Sequence, residues 1–214
     1  MTPARKKLEM IIKEMDRVAI LIDGYTTHNA TKSIKLKINW QEFQNYFMEL
    51  GRLRYIGYYL TIPSNEGNFE NEIDVDSLKF DEHERPWWFS IVNWMSYNNF
   101  NVTIKRGREF QFTETNGKGI KTSLDITIAI EAMKLDVDHV IFLTCNTEHH
   151  EIVNALQSRG IVVTVMGNSH KQLEARKLID EREIHYPFTA SKKLIKSANH
   201  FIDFVEIWDD IAAN

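Results

Sequence analysis

The sequence holds one cysteine, Cys145, among 214 residues. An internal disulfide and a CxxC metal site are therefore excluded, and nothing requires an oxidising compartment. Four prolines and nine glycines are too few for a collagen-like or low-complexity chain. No apolar run approaches the roughly 18 residues of a membrane span. The opening MTPARKKLEMIIKEM is charged throughout and lacks the apolar centre of a signal peptide. The expectation is a cytoplasmic protein with no membrane partner. Positive charge is not in excess either, because 26 Lys and Arg against 30 Asp and Glu leave a formal charge of −4. That balance argues against a DNA-coating role. It leaves a nuclease open, since metal-binding carboxylates are negative and a bound cation reverses the local field. Also missing are a GxGxxG after the first apolar run and any GxxxxGK[ST], so dinucleotide-binding and P-loop chemistry lose their usual anchors.

What is present is alternation. Apolar runs recur between amphipathic stretches of ten to fifteen residues, the pattern of βαβ units. Residues 17–22 (RVAILI), 54–62 (RYIGYYLTI), 139–144 (HVIFLT) and 161–166 (IVVTVM) read as strands. Their continuous hydrophobicity suits strands covered on both faces. Helices are expected over 6–15, 40–50, 86–95, 124–135, 148–159, 171–179 and 191–198, with an ambiguous stretch at 184–188. Residues 25–37 and 64–84 read as polar loops, 100–105 and 109–113 as two short strands around Arg106-Gly107-Arg108, Asn116-Gly117 as a turn, and 201–204 as a last short strand. The chain length fits one domain. Residues 1–16 form an N-terminal helix and 17–214 a single α/β domain, with insertions near 64–84 and 168–190. The N-terminal helix either packs on the sheet or pairs with a second copy in a homodimer.

Ligands of open parallel sheets bind beyond the carboxyl ends of the strands, so residues just after the apolar runs are the candidates for chemistry. These are Asp23, Asn146 and Glu148, with Asp203 inside FIDF and Asp125 near the start of a helix. Together they offer oxygen ligands of the kind Mg²⁺ and Mn²⁺ prefer. Each also has a plain structural explanation, a turn at Asp23-Gly24 and helix caps at Asp125 and Asn146. His149 and His150 are adjacent, and neighbours on a helix point about 100° apart, so the two do not readily ligate one ion. Trp87, Trp88 and Trp94 read as core, and Cys145 has no partner pattern for a catalytic thiol.

In order along the chain, VAILIDG (18–24), KTSLDITIAIEAM (121–133), VIFLTCNTEHHEIVNALQSRG (140–160), VVTVMG (162–167) and SKKLIKSANHFIDF (191–204) resemble the NYN domain. NYN domains, including the LabA-like group, belong to the PIN-like superfamily of metal-dependent ribonucleases. The resemblance implies a Rossmann-like three-layer sandwich with a central, mostly parallel sheet flanked by helices. It also implies hydrolysis of RNA phosphodiester bonds at a Mg²⁺ or Mn²⁺ site formed by Asp23, Asp125, Asn146 and Glu148. The substrate would be single-stranded or structured RNA, its backbone held by Lys32, Lys35, Lys37, Arg106, Arg108, Lys118 and Lys121. Two departures stand out. Thr26 occupies a position that is often Asn, and the usual Ser-Gly-Asp-Ser-Asp-Phe reads here Thr144-Cys145-Asn146-Thr147-Glu148-His149. An amide at position 146, natural or introduced, supplies no negative charge, so the enzyme would be weakened or inactive. The alternatives are a catalytically silent RNA-binding or scaffolding domain and a small-molecule phosphohydrolase using the same acids.

Overall fold

The computed structural model describes residues 3–49, 52–63, 86–111, 118–121, 123–170 and 189–212. The sequence-based loop at 64–84, the turn at Asn116-Gly117, the helix at 171–179 and the stretch 184–188 fall outside them. Seven strands make one sheet: β1 (Val18–Asp23), β2 (Leu53–Pro63), β3 (Asn101–Gln111), β4 (Lys118–Lys121), β5 (His139–Leu143), β6 (Val162–Gly167) and β7 (His200–Asp203). Their order across the sheet is β4-β3-β2-β1-β5-β6-β7. Six run parallel, and β4 pairs antiparallel with β3 at the edge.

Why these segments pair follows from composition. Every residue of β1 and β5 is buried, as a β-branched and aliphatic strand in the middle of a covered sheet must be. Helices close both faces. On one side α1 (Pro3–Lys13), α3 (Trp40–Glu49), α4 (Trp87–Ser96) and the short α8 (Trp208–Ile211) bury Leu8, Ile12, Phe43, Phe47, Val92, Met95 and Ile211 against the sheet. On the other, α5 (Leu124–Lys134), α6 (His150–Ser158) and α7 (Lys192–Ser197) bury Leu124, Ile128, Val153, Leu156 and Leu194. The result is the three-layer α/β sandwich. Each such side chain contributes roughly 1.5–3 kcal/mol by leaving water. The apolar face of α1 is spent on this core, with Leu8 and Ile12 fully buried, so that face packs on the sheet.

Two expectations need correction. Residues 25–37 are not a loop throughout, because Gly24–Ser33 form a helix, α2. Its buried face is made of Thr26, Thr27, Ala30 and Thr31 instead of aliphatic residues, so hydrophobic periodicity is blind to it. The hydroxyls are satisfied: Thr27 Oγ1 donates to the Leu143 carbonyl at 3.3 Å and Thr31 Oγ1 to that of Thr27 at 2.9 Å. Nor do Arg106-Gly107-Arg108 separate two strands. β3 runs straight through them, because Arg106 and Gly107 keep their pairing with Ile62 and Pro63 of β2.

The connectivity creates a site. From β1 the chain winds one way through β2 and β3, then returns and winds the other way through β5, β6 and β7. At such a reversal the helices diverge to opposite faces and leave a crevice outside the carboxyl ends of the two central strands. Here those strands are β1 and β5, ending at Asp23 and Leu143.

Candidate functional site

Asp23 ends β1 and caps α2. Its Oδ1 accepts the Thr26 amide at 3.2 Å and its Oδ2 the Thr26 hydroxyl at 2.7 Å. The following Gly24 is there for a close approach and not a turn: a Cβ on it would lie 2.6 Å from the Tyr58 ring. Asp23 is only 5% exposed. Burial pushes its carboxyl above the ordinary range, while His149 and the Thr26 donors pull the other way. Asp125, in the first turn of α5, reaches the same crevice with a side chain 45% exposed.

The β5 end supplies the rest. Thr144, Cys145 and Asn146 follow the strand, and a 3₁₀ turn over Thr147–His149 swings His149 back beneath them. The imidazole stacks on Phe142 with centroids 4.9 Å apart and is almost wholly buried. Its Nε2 lies 3.0 Å from Asp125 Oδ1 and its Nδ1 2.8 Å from Thr144 Oγ1. Asn146 is both a cap and a donor. Its Oδ1 accepts the Glu148 amide at 3.1 Å, and its Nδ2 faces Asp125 Oδ2 at 3.4 Å.

Asp23, Asp125 and Asn146 are thus brought to one crevice, as the sequence pattern leads one to expect. Glu148 lies beside it but exposed, and among the described residues no hydrogen bond or ion pair joins its carboxylate to the other two acids. Asp203 ends β7, its two oxygens accepting the Ser169 and Val205 amides at 2.7 and 3.0 Å. Cys145 is inert, since burial pushes its thiol up to about 12. His149 is the residue that sequence reasoning misses. Set aside as half of a histidine pair, it carries its signal in the motif itself, where it replaces the terminal Phe of Ser-Gly-Asp-Ser-Asp-Phe.

The donor set does not fit a divalent ion. Such a cation needs oxygen lone pairs converging on one point. Here an imidazole and an amide N–H₂ face Asp125, and the carbonyl oxygen of Asn146 is turned to a backbone amide. Among the described residues no three His, Cys, Asp or Glu side chains gather closely enough to hold a metal.

Basic residues flank the crevice on two sides. α2 crosses the ends of β5 and β6, as Thr27 on Leu143 and Asn168 Nδ2 on the Ala30 carbonyl at 2.7 Å attest. It thereby carries exposed Lys32 and Lys35 to that edge, with exposed Lys37 in the segment that follows. On the other side β2 and β3 outrun β1. Asp23 pairs with Tyr59 and Tyr59 with Thr103, so Arg106 stands three residues further on, about 10 Å along the strand. Arg108 and Lys121 are paired between β3 and β4, and Lys118 opposes Gln111.

Comparison with known proteins agrees with this architecture. No curated protein matches the chain. Among solved structures, a Vibrio parahaemolyticus protein of unknown function superposes with a TM-score of 0.56 at 19% identity, over 93% of this chain and 97% of that one. At that identity the likeness concerns the fold alone. A family model described as the NYN domain matches residues 17–208. With most of its length matched, the chain belongs to the NYN domain family, a family of PIN-like nucleases.

Proposed function

We propose that this chain binds RNA by its sugar-phosphate backbone along the carboxyl edge of the sheet without hydrolysing it, as a catalytically silent NYN domain. The observation that carries the silence is the state of the two acids. Each of the four oxygens of Asp23 and Asp125 already accepts a hydrogen bond from the chain itself. Binding is supported by Lys32, Lys35 and Lys37 on one side and Arg106 on the other, with Arg108, Lys118 and Lys121 further along the backbone pairing of β3 and β4. They give a chain of net charge −4 a local path for a polyanion. RNA is preferred to DNA on family membership.

A second reading is a metal-dependent endoribonuclease weakened at Asn146, using Mg²⁺ or Mn²⁺ at Asp23, Asp125, Asn146 and Glu148. It is favoured by the persistence of two acids at the switch point of the sheet. Anisotropy of a labelled single-stranded RNA, run beside denaturing gels in Mn²⁺, separates the two. The silent reading expects salt-sensitive binding, a loss of about tenfold for Lys32→Glu with Lys35→Glu or for Arg106→Glu, and intact RNA. Absence of binding sinks the RNA assignment. Cleavage by the unaltered chain that disappears in Asp23→Ala installs the nuclease in its place.

A further inference from the structure

We infer that His149 and Asn146 together occupy the place of a cation between Asp23 and Asp125, so that this NYN site is complete without a metal and both residues must change before one can bind. The inference rests on the silent reading of the acids but not on RNA binding.

Proton accounting along the network carries it. Asn146 Nδ2 can only donate, and it faces Asp125. The Asn146 amide donates to Thr144 Oγ1 at 3.0 Å, and the Thr144 hydroxyl lies 2.8 Å from His149 Nδ1 and 3.4 Å from Asp23 Oδ2. A carboxylate oxygen accepts, so the 3.0 Å contact of His149 Nε2 with Asp125 Oδ1 is made by an N–H on that nitrogen. On the far side Thr26 donates twice to Asp23 while its hydroxyl oxygen accepts the Cys145 amide at 3.2 Å. Asn146 Nδ2 and His149 Nε2 thus stand side by side, 3.3 Å apart, before the two oxygens of Asp125. With Nε2 donating to Asp125, the other ring nitrogen, Nδ1, faces Thr144.

A carboxylate at position 146 would keep one oxygen on the Glu148 amide and set the other 3.4 Å from Asp125 Oδ2, a repulsion that a cation relieves. In this chain that contact is an N–H donor instead. Restoring the carboxylate alone still leaves the imidazole beside both acids, 3.0 Å from Asp125 and 3.9 Å from Asp23. Its N–H can donate to the new carboxylate as well as to Asp125, so an internal donor still stands where a cation would. Phenylalanine at position 149 keeps the stack on Phe142 and removes both nitrogens. Only then do the acids face one another without an internal donor between them.

The test is Mn²⁺ and Mg²⁺ titration by calorimetry, with thermal melts, on the full chain and on Asn146→Asp, His149→Phe and the double variant. The expected result is no saturable binding and no shift in melting temperature for the unaltered chain and both single variants. The folded double variant gains Mn²⁺ binding at least tenfold tighter than Asn146→Asp, with a rise in melting temperature. Stoichiometric Mn²⁺ binding by the unaltered chain overturns the inference without recourse to any variant. So does Asn146→Asp binding as tightly as the double variant, or a folded double variant that binds nothing. None of these readings involves RNA, so a failure of RNA binding leaves them untouched.

Discussion

Asp23 serves α2 as a cap and the crevice as a buried carboxylate, and the two roles pull in opposite directions. A cap wants an acceptor, which Asn supplies as well as Asp. Burial penalises the charge, which Asn lacks. The folded-state pKa of Asp23 lies above its unfolded value, so ionisation at neutral pH costs stability that is regained only as the pH falls. Asp23→Asn is therefore expected to stabilise the fold at pH 7, by about 1–3 kcal/mol, as read from urea midpoints. A loss of stability would mean that the hydrogen bonds of Thr26 depend on the charge itself. A residue whose replacement improves the fold is one retained for something other than folding.

At the scale of elements, α2 is the piece that turns a sheet edge into a surface for a polyanion. It ends with Lys35 in the left-handed region at φ 57°, where Lys35 donates to the Lys32 carbonyl at 3.0 Å and Leu36 to that of Thr31 at 2.9 Å. Glycine tolerates that conformation at no steric cost. Lys35→Gly should raise stability by about 1 kcal/mol and, if the lysine holds phosphate, weaken RNA binding and flatten its salt dependence. Improved stability with unchanged RNA affinity would remove Lys35 from the interface. The legibility of each element depends on what its buried face is made of. β1, β5 and β6 announce themselves because burial on both faces demands a largely apolar run, and Asp23 follows as the first polar residue at the end of β1. α2 is hidden because threonines bury themselves through hydrogen bonds. β3 is misread at Gly107 because its pairing with Pro63 lies more than forty positions away in sequence. His149 escapes for a related reason: its partner Asp125 sits on another helix, and a contact across the fold leaves no local periodicity.

For the molecule as a whole, the middle of the sheet carries a buried histidine that is expected to weaken it in acid. His139 is fully buried in β5 with Nε2 2.8 Å from Thr164 Oγ1 and, among the described residues, with no partner for Nδ1. Burial, reinforced by His200, lowers its pKa to about 4. The unfolded chain takes up that proton near pH 6.5 while the folded one refuses it, so stability is full above about 6.5 and drains away toward about 4. The loss attributable to this group is on the order of 3 kcal/mol. Urea midpoints at about pH 7, 5.5 and 4.5 should fall steeply for the unaltered chain and less so for His139→Gln. Parallel slopes in the two proteins would assign acid sensitivity elsewhere.

Arg5 of α1 pairs with Asp210 of α8 at 3.3 Å, so a side-chain contact joins the first and last helices of the described chain. Order along the chain and neighbourhood in space come apart at that point. The contact spans 205 positions of sequence, so the outermost described helices are tied to each other across the whole length of the described chain.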